Sequence, residues 1–184
     1  MATGQSRVGH LVLPVHGRDH VLGSADAPAT LVEYGDYECP YCGLAHPIVK
    51  EVLRRLGRQL RFAFRHFPLA EIHPDAQPAA EAAEAAGAQG RFWEMHDLLY
   101  ANQQALGGPD LLRYAGVLGL DVTRFARELA DHTWETRVRE DFTSGVRSGV
   151  NGTPTFFVNG VLLDGPWDAD TLTDALLTPA RIHV

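Results

Sequence analysis

Residues 33–42, EYGDYECPYC, contain both cysteines of this 184-residue chain. Cys39 and Cys42 are separated by a proline and a tyrosine and so form a C-x-x-C motif. An apolar run with β-forming residues, TLVEYGDY (30–37), comes just before the cysteines. The segment after them, GLAHPIVKEVLRRLG (43–57), has apolar residues at helical spacing. We therefore predict a buried strand, a dithiol at its end, and a helix that begins at the motif.

The predicted position of Cys39 at the start of a helix has a chemical consequence. Unpaired backbone N–H groups and the positive end of the helix dipole stabilise a thiolate there, and thiols in such motifs have lowered pKa values. Pro40 suits the first helical turn because its missing N–H would have no partner in that position. One turn separates the two cysteines, which permits a disulfide. We predict that Cys39 is the nucleophile and that Cys42, which should be less exposed, is the resolving thiol.

Two other interpretations of the cysteine pair are less favoured. The first is that both are ordinary core residues that happen to be neighbours. The second is a metal site, but a structural zinc site normally needs four nitrogen or sulfur ligands. The sequence has no second C-x-x-C and no H-x-x-x-H, and His46 alone does not complete the set. We predict that the chain binds no metal.

Glu33 lies within the apolar run that precedes the cysteines. A buried carboxylate is costly unless it is paired or protonated, and a raised pKa would suit a proton acceptor for the resolving thiol. The alternative is that Glu33 points to solvent from an edge strand. We predict a buried, catalytic Glu33.

The rest of the chain contains further strands and helices. A second strand is predicted at 60–69, parallel to the first, and a short one near 11–15. Consecutive helices without intervening strands follow over 74–149, the last of them predicted to begin with a cap at Asp121, and Asn159-Gly160 predicts a β-hairpin. A last helix is expected at 168–177. This order predicts an α/β, thioredoxin-like fold with an inserted helical domain: residues 1–70 and 150–184 would form the discontinuous thioredoxin-like domain, and 71–149 the insertion.

The chain resembles the DsbA-like thiol–disulfide oxidoreductases of the thioredoxin superfamily over about residues 19–177. The matching features are CPYC after the strand, Pro47 five residues past the second cysteine, and GTPTFFVNG (152–160). The resemblance implies a cis Pro154 that faces the cysteines, a Thr153 backbone offered to an extended substrate, and Glu33 as the buried acid. With Pro40 and Tyr41, Thr153 and Pro154 are the predicted substrate-binding residues.

Tyr41 departs from the pattern of the strongly oxidising relatives, which carry histidine between the cysteines. A neutral phenol should stabilise the Cys39 thiolate less than an imidazolium, and thiolate stabilisation makes a disulfide more oxidising. We therefore expect a reduction potential below that of the strong oxidants.

The predicted function is thiol–disulfide exchange with protein thiols, with glutathione as the second candidate substrate. The Cys39–Cys42 disulfide would be the redox group, and no organic cofactor is implied. Two alternatives remain open: a non-catalytic thioredoxin-fold module that binds or regulates a partner such as a transporter, and a glutathione-linked reductase.

Charge and hydropathy limit the partners and the location. A net charge of −7 argues against nucleic acid or an anionic membrane surface, and no apolar run approaches the roughly 18 residues of a membrane helix. The first twenty residues do not resemble a signal peptide. We predict a cytoplasmic protein, exported only if a leader has been removed.

Three histidines and three aromatic residues are assigned structural roles. We expect His66 to be a half-buried strand residue, His73 to lie at a helix entry, and His46 to lie on the surface. The aromatic residues, expected in the core of the helical segment, are Phe92, Trp93 and Trp134.

Overall fold

The structure, a computed structural model, describes residues 9–178. The elements in chain order are β1 (His20–Leu22), β2 (Ala29–Gly35), α1 (Pro40–Leu56), β3 (Leu60–His66), α2 (Ala76–Gly87), α3 (Phe92–Ala101), α4 (Gly108–Val117), α5 (Val122–Ala130), α6 (Glu135–Arg147), β4 (Thr155–Val158), β5 (Val161–Leu162) and α7 (Ala169–Leu177). A single 3₁₀ turn, Gly57–Gln59, joins α1 to β3.

The five strands form one sheet in the order β1-β3-β2-β4-β5. β2 and β3 are parallel, with Leu31 opposite Phe62, whereas the other neighbouring pairs are antiparallel. The predicted strand–helix–strand unit is therefore confirmed. β2 is the central strand and is almost entirely buried, which explains its apolar sequence. Its carboxyl end delivers the chain to the cysteine motif.

The predicted hairpin joins β4 to β5. Its central residues, Asn159 and Gly160, have φ angles of 51° and 82°, as the type I′ turn of a two-residue hairpin requires. Asn159 also fastens the hairpin to β2, because its side-chain oxygen accepts a hydrogen bond from the backbone N–H of Thr30 at 2.8 Å.

The helices α2 to α6 follow β3 and precede β4, as the sequence predicts. Phe125 and Met95 of this segment belong to the same hydrophobic cluster as Leu31 and Phe64 of the sheet. The helical segment thus shares a hydrophobic core with the sheet. Phe92 is buried in this core, and Trp93 and Trp134 pack against it. The division into domains at 70/71 and 149/150 stays a prediction. Residues 1–8 and 179–184 of the predicted thioredoxin-like domain lie outside the described residues.

Two local expectations are wrong. The strand expected near 11–15 is absent, and β1 forms further along the chain. Pro14 cannot donate to a strand ladder, and the carbonyl oxygens of Leu13 and Pro14 instead accept hydrogen bonds from the guanidinium of Arg65.

The helical expectation over 74–149 also needs one correction. The helical pattern after Asp121 breaks into α5 and α6, and His132 between them has a φ angle of 50°.

None of the helices within residues 9–178 combines the length and the hydropathy needed to cross a membrane.

Candidate active site

The two cysteines occupy the first turn of α1. Cys39 is the N-cap residue, with extended backbone angles, and Pro40 begins the helix. Both cysteines are free thiols; Cys39 is 3% exposed and Cys42 is fully buried. The abrupt end of β2 and the proline at the first helical position together place the sulfur of Cys39 at the amino end of α1.

The surroundings of Cys39 favour its thiolate. A hydrogen bond from the Cys42 thiol lowers the pKa of Cys39, burial opposes this, and the N–H groups of Cys42 and Tyr41 help to lower it to about 5. These two N–H groups are unpaired groups of the kind expected at a helix start. At neutral pH Cys39 is therefore predominantly ionised.

Cys42 has the opposite chemistry. Burial raises its pKa well above the ordinary value, and so do its hydrogen bond to Cys39 and the charge of Glu33. The backbone N–H of Asp36 lies 3.5 Å from the Cys42 sulfur and only partly offsets these effects. The pair therefore consists of one thiolate and one protonated thiol.

Glu33 lies in the middle of the central strand, between Phe64 of β3 and Phe156 of β4. It is 2% exposed, and its Oε1 atom has no hydrogen-bond partner among the described residues. Burial, followed by the charge of Cys39, raises the pKa of Glu33 to about 8. The alternative of a solvent-facing edge strand is wrong, and Glu33 is a carboxyl group that holds a proton at neutral pH.

The Thr153–Pro154 peptide bond is cis, as the resemblance implied. The Cys39 sulfur lies 3.3 Å from the backbone oxygen of Thr153, to which it donates a hydrogen bond only in its protonated form. Pro40 is exposed beside the dithiol, and Tyr41 is 62% exposed. The predicted catalytic and substrate-binding residues are thus brought to one place, although their roles stay predictions.

Asp36 and His73 are a part of the site that the sequence analysis missed. The buried Asp36 carboxylate accepts hydrogen bonds from the backbone N–H groups of Glu38 at 2.8 Å and Cys39 at 3.3 Å. It also accepts one from the N–H of Leu69 at 2.9 Å and one from Nδ1 of His73 at 2.8 Å. An aspartate at the end of a strand often caps a turn in this way, which is the signal that could have identified it.

Gln103 is the second missed residue. Its side-chain amide donates to the backbone oxygens of Tyr37 at 2.9 Å and Cys39 at 2.8 Å. Gln103 follows α3, about sixty residues after the motif, and no sequence pattern distinguishes it from the neighbouring Gln104.

His66 and His46 do not contact the dithiol through any described hydrogen bond. His66 is fully buried, and its Nε2 atom lies 2.9 Å from Glu84; the expectation of half-burial is wrong because α2 and α6 cover this end of β3. His46 is not a free surface residue, since it lies 3.1 Å from Asp97 with a side chain only 16% exposed.

One buried cluster has the dimensions of a metal site. Ligand atoms of His66, Glu84 and Asp141 lie within 4.8 Å of one another. The guanidinium of Arg137, however, pairs with Asp141 and lies 3.8 Å from Glu84. The positive charge that these carboxylates require is therefore supplied by the chain itself.

The family model of thioredoxin matches residues 16–177. The chain belongs to the thioredoxin family. The predicted fold class and the membership of the thioredoxin superfamily that the resemblance implied are both confirmed.

Three solved structures illustrate the shared fold. A thioredoxin-like oxidoreductase from Silicibacter pomeroyi is 29% identical, with a TM-score of 0.77 over 87% of this chain and 91% of that one. BdbD from Bacillus subtilis is 24% identical, with a TM-score of 0.73 over 85% and 91%. Wolbachia pipientis α-DsbA1 is 21% identical, with a TM-score of 0.75 over 90% and 92%.

Similar sequences also occur within much larger proteins. The chain is 52% identical over 169 residues to the Na⁺/H⁺ antiporter NhaA 3 of Salinispora tropica, which covers 91% of this chain and 26% of the antiporter. It is 53% identical over 167 residues to NhaA 1 of Salinispora arenicola, covering 90% and 26%. The chain therefore spans about a quarter of the length of these curated relatives.

Proposed function

We propose that this protein is a thiol–disulfide oxidoreductase that exchanges disulfides with protein thiols. The observation that carries the proposal is the placement of the two sulfurs: Cys39 is the N-cap of α1 and Cys42 is buried one turn further on, which lowers the pKa of Cys39 to about 5 and raises that of Cys42. A thiolate is the attacking species in disulfide exchange, and the second thiol must stay protonated until a mixed disulfide has formed.

The reductive direction proceeds in two steps. The Cys39 thiolate attacks one sulfur of a substrate disulfide, forms a mixed disulfide and releases the other sulfur as a thiolate. Cys42 then loses its proton and attacks Cys39, which releases the second substrate sulfur. The substrate gains two electrons and the chain keeps the Cys39–Cys42 disulfide. Oxidation of substrate dithiols is the same sequence in reverse.

Glu33 is the proposed proton acceptor for Cys42. The Cys39 charge raises the pKa of Glu33, so formation of the mixed disulfide, which removes that charge, makes Glu33 more acidic. In its ionised form Glu33 can then take the Cys42 proton, directly or through water.

Protein thiols are the proposed substrates because apolar side chains are exposed on the helix that carries the dithiol and on the loop that Asp36 binds. Tyr41 and Leu44 are each 62% exposed on the first turns of α1, and Ile72, on the loop bound by Asp36, is 70% exposed. Glutathione receives no support from the described residues or the comparisons. The dithiol itself would carry both electrons, so no organic cofactor is proposed. The cytoplasmic location stays a prediction, which fractionation of the native cells would test.

Reduction of insulin by dithiothreitol tests the activity. We expect the wild-type chain to accelerate the reaction and Cys39→Ser to abolish the acceleration. In the absence of dithiothreitol, Cys42→Ser should accumulate a mixed disulfide between Cys39 and one sulfur of a disulfide-containing substrate such as insulin, because it cannot resolve the intermediate. Equal rates for the wild type and Cys39→Ser would overturn the proposal.

A second candidate, a redox-sensing module of an Na⁺/H⁺ antiporter, is favoured by one observation. In two antiporters named NhaA, a segment that makes up about a quarter of the protein's length is 52% or 53% identical in sequence to this chain. Sodium-driven proton exchange can be measured in vesicles that contain the antiporter part together with this chain, either oxidised or reduced. A difference between the two redox states that disappears with Cys39→Ser supports the module. Equal exchange in both states contradicts it.

A further inference from the structure

Two carboxylates join the cysteine turn to the loop between β3 and α2. The carboxylate of Asp36 accepts from the backbone of Leu69 and from His73. In the same region, the carboxylate of Glu38 accepts from the backbone N–H of Asp75 at 2.7 Å. The loop that carries His73 is therefore held against the turn that carries Cys39 from two sides.

This arrangement places a negative charge next to the sulfur that must be an anion. Asp36 is 2% exposed and its Oδ1 atom accepts from the N–H of Cys39 itself. A nearby like charge disfavours ionisation of a thiol. A cation that compensates Asp36 would therefore favour the thiolate.

His73 is in the position to supply it. Its Nδ1 atom lies 2.8 Å from Asp36 Oδ2, where the side chain of Asp36 is fully buried and that of His73 is 16% exposed. A protonated imidazole in this position neutralises Asp36, with Nδ1–H donating to the carboxylate and the second proton on Nε2.

We propose that His73, in its protonated form, is a positioning residue that neutralises Asp36 and so permits the Cys39 thiolate. It supplies from the β3–α2 loop the cationic charge that Tyr41 does not supply between the cysteines. The consequence for the reduction potential rests on the proposed function, whereas the coupling of the two charges does not.

The groups that face His73 agree with this role. Burial disfavours the protonated form, but the hydrogen bond and charge of Asp36, followed by the charges of Cys39 and Glu38, raise the pKa of His73 above its usual value. Because coupling between two sites is reciprocal, a charge on Cys39 that favours protonated His73 implies that protonated His73 favours the thiolate. The pKa of Cys39 is set mainly by its hydrogen bonds, so the effect of His73 should be the smaller one.

Two substitutions separate the charge of His73 from its hydrogen bond. His73→Asn keeps a donor in the place of Nδ1 but carries no charge, whereas His73→Ala removes both. His132→Asn is the matched control, since His132 also pairs with a carboxylate, that of Glu81, but lies between α5 and α6. The readout is the pKa of Cys39, from the pH dependence of its alkylation and of thiolate absorbance in the reduced protein.

We expect His73→Asn to raise the pKa of Cys39 by about 0.5–1 unit, as expected for a partly screened charge pair. Below the pKa this lowers the thiolate fraction about three- to tenfold. His132→Asn should leave the pKa unchanged. The equilibrium constant with glutathione should shift by the same factor toward a less oxidising protein.

An unchanged Cys39 pKa in His73→Asn overturns the proposal, and so does a rise that occurs only in His73→Ala, because the hydrogen bond rather than the charge would then matter. Circular dichroism of each variant identifies unfolding, and His73→Asn remains informative if His73→Ala does not fold. A chain that fails to reduce insulin but still shows the pKa rise retains the charge coupling and loses only the proposed function.

Discussion

The side-chain amide of Gln103 donates a hydrogen bond to the backbone oxygen of Cys39 at 2.8 Å. The donor follows α3 in the helical segment, whereas the acceptor caps the first helix of the sheet-forming part. The helical segment therefore does more than share a core with the sheet, since it holds the peptide group of the nucleophile. The Gln103 amide also donates to the backbone oxygen of Tyr37. The turn is therefore held on both sides of Glu38.

Loss of the Gln103 amide should weaken the fold and loosen the site. Gln103→Ala removes two hydrogen bonds, each of which contributes about 0.5–1.5 kcal/mol, so we expect the free energy of unfolding to fall by about 1–3 kcal/mol in urea titrations. Gln104→Ala is the control, since Gln104 is adjacent and exposed. Equal stability of the two variants would show that the contact does not stabilise the protein.

Gly43 gives a sharper form of the same test. A methyl group added at Gly43 would lie 2.0 Å from Oε1 of Gln103, so Gly43→Ala should displace the amide and destabilise the protein. In the Gln103→Ala background the clash with Oε1 is absent. There, Gly43→Ala should stabilise the helix by up to about 1 kcal/mol. A double-mutant cycle measures this reversal; additive effects would contradict it.

The thiol of Cys42 should account for much of the acidity of Cys39. Its hydrogen bond is the largest of the effects that lower the pKa of Cys39. Cys42→Ser keeps a hydroxyl donor, whereas Cys42→Ala removes it. We expect the pKa of Cys39, from alkylation rates against pH, to stay within about half a unit in the serine variant and to rise by about one unit or more in the alanine variant. An equal pKa in both variants would exclude this hydrogen bond as the cause.

Glu33→Gln should stabilise the protein at neutral and alkaline pH. Burial, then the charge of Cys39, raises the pKa of Glu33 from 4.5 to about 8, so the folded state retains a proton that the unfolded chain loses. The stability of the wild type should therefore decrease as pH rises from about 4.5 to 8, and glutamine should remove this decrease. We expect a gain of about 2–5 kcal/mol at pH 8 and almost none at pH 4. Glu71→Gln, at an exposed position, is the control.

The same variant should slow catalysis. Without the carboxyl group Cys42 would lose its proposed proton acceptor, so resolution of the mixed disulfide in single-turnover experiments should be slower, while alkylation of Cys39 should be nearly unaffected. Stabilisation at pH 8 without slower resolution would leave Glu33 as a buried acid with no part in proton transfer.

Tyr41→His should make the protein more oxidising. Tyr41 is exposed next to Cys39, and a protonated imidazole there would stabilise the thiolate and hence the reduced form. Titration against glutathione should place the wild type below about −120 mV, the potential of a strong oxidant, and the variant above the wild type. A wild-type value at or above that potential would refute the reasoning from Tyr41.

The sequence predicted the elements whose causes are local. The alternating and apolar runs of β2 and β3, the Asn159-Gly160 turn and the cap at Asp121 each have a pattern within a few residues, and all are present. The active-site cysteines were recognisable for the same reason.

The remainder of the site depends on contacts between distant residues. Gln103 reaches the motif from about sixty residues away, and His73 acquires its role only because β3 runs parallel to β2 and brings its loop to Asp36. Likewise, the strand expected near 11–15 does not form, because the guanidinium of Arg65 on β3 donates hydrogen bonds to carbonyl oxygens of that segment. No periodicity in the chain records such pairings.

The borders of the sheet bear on how a substrate chain would be held. β1 at one border has three residues and β5 at the other has two. An unfolded polypeptide that meets a long unprotected border can extend the sheet and start aggregation. Among the described residues each border offers too few free backbone groups for that, so the sheet is poorly suited to being extended by another polypeptide.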